Sequence, residues 1–181
     1  MILTAATRST VFMAALMLAI WGTPKLFGLP GPSIALSLFL LVSLLALCWF
    51  DFDRMILPNF LTYPLIVTGL VRAWFVEAPI LDHILGSIIG YTIVVVINFV
   101  WRKRRGRDGM GLGDAKLFSA CGAWFGALAI PMIFLIASGS ALALIVVTGK
   151  LRADTADQPF AFGPFIVLAF WTMWVLPLNL A

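Results

Sequence analysis

Apolar residues along this chain come in long blocks rather than at the spacing of an amphipathic soluble fold. Seven blocks run near residues 9–22, 33–50, 60–76, 82–101, 114–127, 128–148 and 160–179, separated by short polar, glycine- or proline-bearing breaks. Most approach the ~20 residues that a helix needs to cross a bilayer core. The pattern predicts an all-α, polytopic helical membrane protein of about seven transmembrane helices, with residues 1–181 forming a single integral-membrane domain. The first and fifth blocks are short for a full crossing, and a short span is met by thinning of the bilayer, by neighbouring protein or by extension into the loops. The first block follows Arg8 and resembles the apolar core of a signal peptide. Thr23, Pro24 and Lys25 come after it, however, and supply no small-residue cleavage site.

Composition agrees with the blocks. Hydrophobic residues make up 62% of the chain and charged residues 11%, with a mean hydropathy of +1.08, whereas a soluble domain carries roughly 25% charge. Little length is left for a separate soluble domain. The net charge of +4 is unevenly placed: Arg102, Lys103, Arg104, Arg105 and Arg107 directly follow the fourth block. With no interleaved aromatic surface, that cluster points to a cytoplasmic loop at anionic lipid headgroups and away from nucleic acid. A cytoplasmic N-terminus puts ten of the twelve basic residues inside and leaves Lys25 and Arg72 outside. That bias sets the orientation and puts the C-terminus on the far side.

Cys48 and Cys121 each lie inside an apolar block without a CxxC pair. They read as packing residues, with neither a zinc site nor a disulfide framework. Gly86 and Gly90, and Gly122 and Gly126, each have the GxxxG spacing that lets helix backbones approach closely, and packing inside one bundle is favoured over a dimer interface.

Acidic residues are costly in hydrocarbon, so each calls for a reason. Of the eight, Glu77 and Asp82, beside His83, fall in the expected outer loop, Asp154 and Asp157 in a polar loop and Asp108 in the basic loop. Solvation accounts for these five. Asp51 and Asp114 differ, because one directly follows an apolar block and the other directly precedes one. Two crossings separate them, so both lie at the same membrane edge. Two carboxylates at one depth form a candidate acid/base pair able to activate water and protonate a leaving amine. The structural alternative is that Asp114 only caps a helix and that Asp51 and Asp53 only pair with Arg54 or the basic loop.

The local sequences favour chemistry. Asp114 stands in Gly109-Met110-Gly111-Leu112-Gly113-Asp114-Ala115-Lys116-Leu117, whose alternating glycines permit close backbone approach. Asp51 opens Asp51-Phe52-Asp53-Arg54-Met55-Ile56-Leu57-Pro58-Asn59. With Leu61-Thr62-Tyr63-Pro64-Leu65, Gly122-Ala123-Trp124-Phe125-Gly126 and Phe162-Gly163-Pro164-Phe165 following in order, the chain resembles the type IV prepilin peptidases, the bacterial branch of the GxGD aspartyl proteases.

That resemblance implies a six-helix peptidase core plus one N-terminal helix in the bacterial inner membrane. It implies that Asp51 and Asp114 are the catalytic pair, with Gly111, Gly113, Asp53, Pro58 and Lys116 as neighbours or substrate-proximal residues. It also implies an endopeptidase that cuts a short basic leader from prepilin-like or secretion pseudopilin precursors on the cytoplasmic side, just before their hydrophobic helix. Water would attack without a covalent intermediate, and no metal or cofactor is required. Substrate and membrane lipid are the expected partners. Long members of the family also carry a cysteine-bearing cytoplasmic domain associated with N-methylation. This sequence lacks that domain, so methylation is not expected. A small proton-coupled transporter and a non-catalytic assembly scaffold are the competing readings. From the ends of their own helices, Asp114 is expected to be the base and Asp51 the acid.

Overall fold

A computed structural model of the chain describes residues 2–26, 33–106, 110–147 and 161–176. The expected positions of Arg107, Asp108, Lys150, Arg152, Asp154, Asp157 and the C-terminus lie outside the described residues, as do the side chains of Arg8, Lys25 and Arg105. Seven helices and no strand occur among the described residues: α1 (Ile2–Leu26), α2 (Ile34–Arg54), α3 (Asn59–Phe75), α4 (Ile80–Arg105), α5 (Leu112–Phe125), α6 (Ala129–Val147) and α7 (Gly163–Val175). Three of them, α2, α4 and α6, are long and apolar enough to cross a membrane unaided.

Six of the seven helices start and stop within a few residues of the apolar blocks. The first block does not: α1 spans 25 residues, because the helix runs on through less apolar residues at both ends. The fifth stays short, at 14 residues. Its surroundings explain how. Ten of its residues are buried, and α3, α4, α6 and α7 all pack against it. A helix wrapped by protein need not match the thickness of the bilayer.

Since lipid is as apolar as leucine, burial of apolar surface does not by itself drive the helices together. Close packing and interhelical hydrogen bonds must do so. Both are visible. Gly86 on α4 lies against Gly122 and Gly126, and Gly90 lies against the Phe118 backbone, so a Cβ at Gly86, Gly90 or Gly122 would strike main-chain atoms. The two GxxxG motifs therefore face each other within one bundle, as expected. Ser87 and Ser119 share a 2.7 Å hydrogen bond across the same interface. Three tryptophans on α5 and α7 staple α3, α1 and α2 to them: Trp124 Nε1 donates to Leu65 O (2.7 Å), Trp171 Nε1 to Met17 O (2.6 Å) and Trp174 Nε1 to Ser37 Oγ (2.9 Å). Each such bond contributes on the order of 1 kcal/mol in a membrane. Cys48 and Cys121 are free and buried, in keeping with a packing role.

The far end of α5 overturns one expectation. Asp82 does not sit in a solvated loop. It lies in the first turn of α4, where its Oδ1 accepts the Ala127 N–H at 3.3 Å, and its other oxygen rests against Gly126. His83 is buried, and its Nδ1 donates to Ala123 O at 3.0 Å. The turn between α5 and α6 presents unpaired main-chain groups at the bundle's edge, and these two side chains satisfy some of them. Gly126 has φ 81° and ψ 178°, a conformation nearly confined to glycine.

A candidate active site between two helix ends

Asp51 ends the buried stripe of α2. The buried positions Ser37, Leu40, Leu44, Leu47, Cys48 and Asp51 recur every three or four residues, so the same face that packs the helix also directs Asp51 inward. The helix stops one turn later, where Met55 takes a left-handed conformation (φ 51°) and donates its N–H to Asp51 O at 3.0 Å. Residues 56–58 then cross to α3. Leu57 is buried there against Gly113, where a Cβ would come within 2.9 Å of the Leu57 Cβ. The small size of Gly113 is thus what allows the α2–α3 connection to lie on the start of α5. Gly111 has ordinary extended backbone (φ −72°) and room for a Cβ. Expected alike from the sequence, the two glycines are not equivalent.

Asp114 occupies the first turn of α5. Its Oδ2 accepts the Gly111 N–H at 3.3 Å, half of a capping box, since glycine offers no side chain in return. Asp51 Oδ2 accepts the Gly163 N–H at 3.0 Å. Gly163 is the first residue of α7, where the leading N–H groups have no partner within the helix. Each carboxylate is therefore held through one oxygen by the N-terminus of a helix. Oδ1 of each carries no hydrogen bond among the described residues. Both carboxylates line one cavity of ≈ 430 Å³.

That cavity brings together six of the seven residues expected from the sequence: Asp51, Asp114, Gly111, Gly113, Pro58 and Lys116. Asp53 does not line it and instead pairs with Arg54 at 3.4 Å. Lys116 Nζ donates to Asn59 Oδ1 at 2.5 Å and lies 5.6 Å from the Tyr63 ring centre, tying α5 to the start of α3. Two participants were not named as site residues from sequence, Asn59 and Gly163. Both stand inside the quoted motifs, so the signal was present. The contacts were not legible, because Gly163 lies 112 positions from Asp51. The α7 contact also removes the basis for assigning acid and base from helix ends. Asp51 faces the N-terminus of α7 as well as the C-terminal end of its own helix, so that argument does not separate the pair.

Chemically, two carboxyl groups that line one cavity, each anchored through one oxygen, can divide acid and base work on a molecule bound there. One can take a proton while the other gives one.

The architecture and the site together define a helical membrane protein with a carboxylate pair in a cavity at one end of its bundle. Residues 38–147, which include both aspartates, match the type IV leader peptidase family, and the chain belongs to that family. It is similar to the prepilin leader peptidase/N-methyltransferase of Aeromonas salmonicida, at 34% identity over 143 residues, covering 78% of this chain and 49% of that protein. It is 37% identical over 149 residues to the protein of the same name from Burkholderia pseudomallei, covering 80% and 47%. Against that of Dichelobacter nodosus the identity is 35% over 141 residues, covering 77% and 48%. The chain spans about half the length of these curated relatives. No solved structure gives a significant match.

Proposed function

We propose that this chain is an intramembrane aspartyl endopeptidase that removes the basic leader from type IV prepilin-like or secretion pseudopilin precursors. The reaction takes place at the cytoplasmic face of a bacterial inner membrane, with the N-terminus of the chain also cytoplasmic. The observation that carries this reading is the sharing of one cavity by Asp51 and Asp114 at one end of the bundle. A transporter that relays protons would hold its acids near the midplane.

The unprotonated carboxylate takes a proton from water as the water oxygen bonds to the scissile carbonyl carbon, while the protonated partner donates to the carbonyl oxygen. The tetrahedral diol then collapses. The C–N bond breaks, the departing nitrogen receives a proton from the pair, and the leader leaves as a free acid. Gly111, which has room on its Cβ side, lets an extended substrate backbone approach the pair. Asp53, turned toward Arg54, has no proton-transfer role. The methyltransferase half of the relatives' names stays with those proteins.

The test is cleavage of a purified prepilin by the purified chain in lipid vesicles. A product shortened by the leader is expected, with none from Asp114→Asn. A fully active Asp114→Asn overturns the proposal.

A further inference from the structure

A second concavity lies on the other side of the α7 N-terminus. Helix α1 packs against α2 and α7, and α6 against α4, α5 and α7. Between α1 and α6 they leave a groove of ≈ 750 Å³ floored by α7. Its α6 wall is Ser140, Ala143, Leu144 and Val147, one helical face about 10 Å long at 1.5 Å per residue. Among the described residues no charged side chain lines it, and Ser9, Ser140, Ala143 and Ala161 keep parts of its wall thin. Thin walls of this kind let another helix come close to the backbone. The outer face of α4 is the reverse, covered by exposed Ile84, Leu85, Ile88 and Ile89.

The position of the groove identifies an occupant. One end is formed by Phe52 and Pro164, which adjoin in sequence Asp51 and Gly163, the two residues joined by the 3.0 Å hydrogen bond. A helix lying in the groove thus begins its apolar length beside the α7 N-terminus. The residues just before it need only cross the first turn of α7 to reach Asp51. A substrate cut immediately before a hydrophobic helix has this shape.

Resting on the peptidase reading above, we infer that the α1–α6 groove is the docking site for the apolar helix that follows the scissile bond of the substrate. The groove supplies membrane-embedded binding and the carboxylate cavity supplies the chemistry. Filling the groove therefore weakens recognition of the whole precursor and leaves the cleavage of a helix-free substrate intact.

Ala143, exposed on α6, is the place to fill it. With Ala143→Trp in vesicles, KM for a full-length precursor should rise about tenfold, while kcat/KM for a short peptide spanning only the leader and the scissile bond stays within twofold. An unchanged KM for the precursor, or an equal loss on both substrates, overturns the inference. A photo-crosslinking amino acid at Leu144, in the Asp114→Asn background, gives a readout independent of catalysis. A precursor adduct that an excess of unlabelled precursor removes supports the groove, and adducts to lipid alone overturn it. A precursor adduct at Leu144 from a wild-type chain that cleaves neither substrate sinks the peptidase reading while leaving the docking site standing.

Discussion

The two ends of α5 pose the same problem and answer it differently. At its start, Asp114 caps the helix through Gly111 and opens onto a cavity that it shares with Asp51. At its end, Asp82 reaches across from α4 to the Ala127 N–H, with Gly126 closing against its carboxylate. Each acid holds down main-chain groups beside a helix end. At the far end a small residue, two side chains and a tight turn fill the available space. At the near end, the Leu57–Gly113 contact holds the α2–α3 connection against α5 but leaves a void beside it. Position at a membrane edge does not make an acid reactive. What separates the two aspartates is a cavity beside Asp114 that a second carboxylate also lines.

The sharpest way to break this comparison is to neutralise each acid in turn. Asp51→Asn and Asp114→Asn should lower the rate of leader cleavage by roughly 10²–10⁴-fold, with the protein still folded by circular dichroism. Asp53→Asn should stay within a few-fold of wild type, since it lies outside the cavity. An inactive Asp53→Asn beside an active Asp51→Asn would move the chemistry to the wrong member of the Asp-x-Asp pair. Which end faces the cytoplasm follows from the same proposal: a reporter inserted at 103–108 should read cytoplasmic and one after Ala181 should read opposite. Both on one side would mean that an even number of the last three helices crosses fully, α5 being the one at issue.

Packing along α5 should come next in size. Gly122→Leu must displace the Gly86 backbone, and overpacking of this kind costs about 3 kcal/mol. Gly139→Leu, with nothing within 4 Å of its Cβ, should change stability by less than about 0.5 kcal/mol. Unfolding in mild detergent, followed by near-UV circular dichroism, compares the two directly. Equal losses would mean that glycine matters for helix conformation rather than for the α4–α5 contact.

Much of this was legible in the sequence, and the gaps have physical causes. Hydropathy located all seven helices because crossing a bilayer demands long apolar runs. It misjudged α1 because a helix does not end where its apolar residues end. Spacing flagged both GxxxG motifs, yet which motif meets which is a tertiary fact. Asp82 was read as solvated because acids near a loop usually are, and nothing local announces a main-chain donor 45 positions away. At the cavity end, the Asp51 and Asp114 motifs were visible, while the contact of Gly163 required α7 to be seen lying beside α2.

At the far end, Asp82→Ala should cost about 1–2 kcal/mol, as for the loss of a capping acid, and leave cleavage per folded molecule unchanged. A thermal unfolding series paired with active-site-normalised rates separates these two effects. A drop in the normalised rate would show that the far end is coupled to the cavity after all.

The smallest effect expected is at Lys116. Its ammonium bridges Asn59 and the Tyr63 ring, and an exposed cation–π contact of this kind contributes about 0.5–1 kcal/mol. As a brace, it holds the end of the α2–α3 connection, and Pro58 with it, against the first turn of α5 that carries Asp114. Lys116→Met should then lower kcat/KM about three- to fivefold, and Asn59→Ala should do the same. The double variant should be no worse than either single change, because both remove one contact. If the lysine charge instead acts on the carboxylates directly, Asn59→Ala will be silent and only the loss of charge will matter. The double-variant cycle, measured at two salt concentrations, decides between them: a salt-sensitive Lys116→Met beside a silent Asn59→Ala would replace the brace with a field effect.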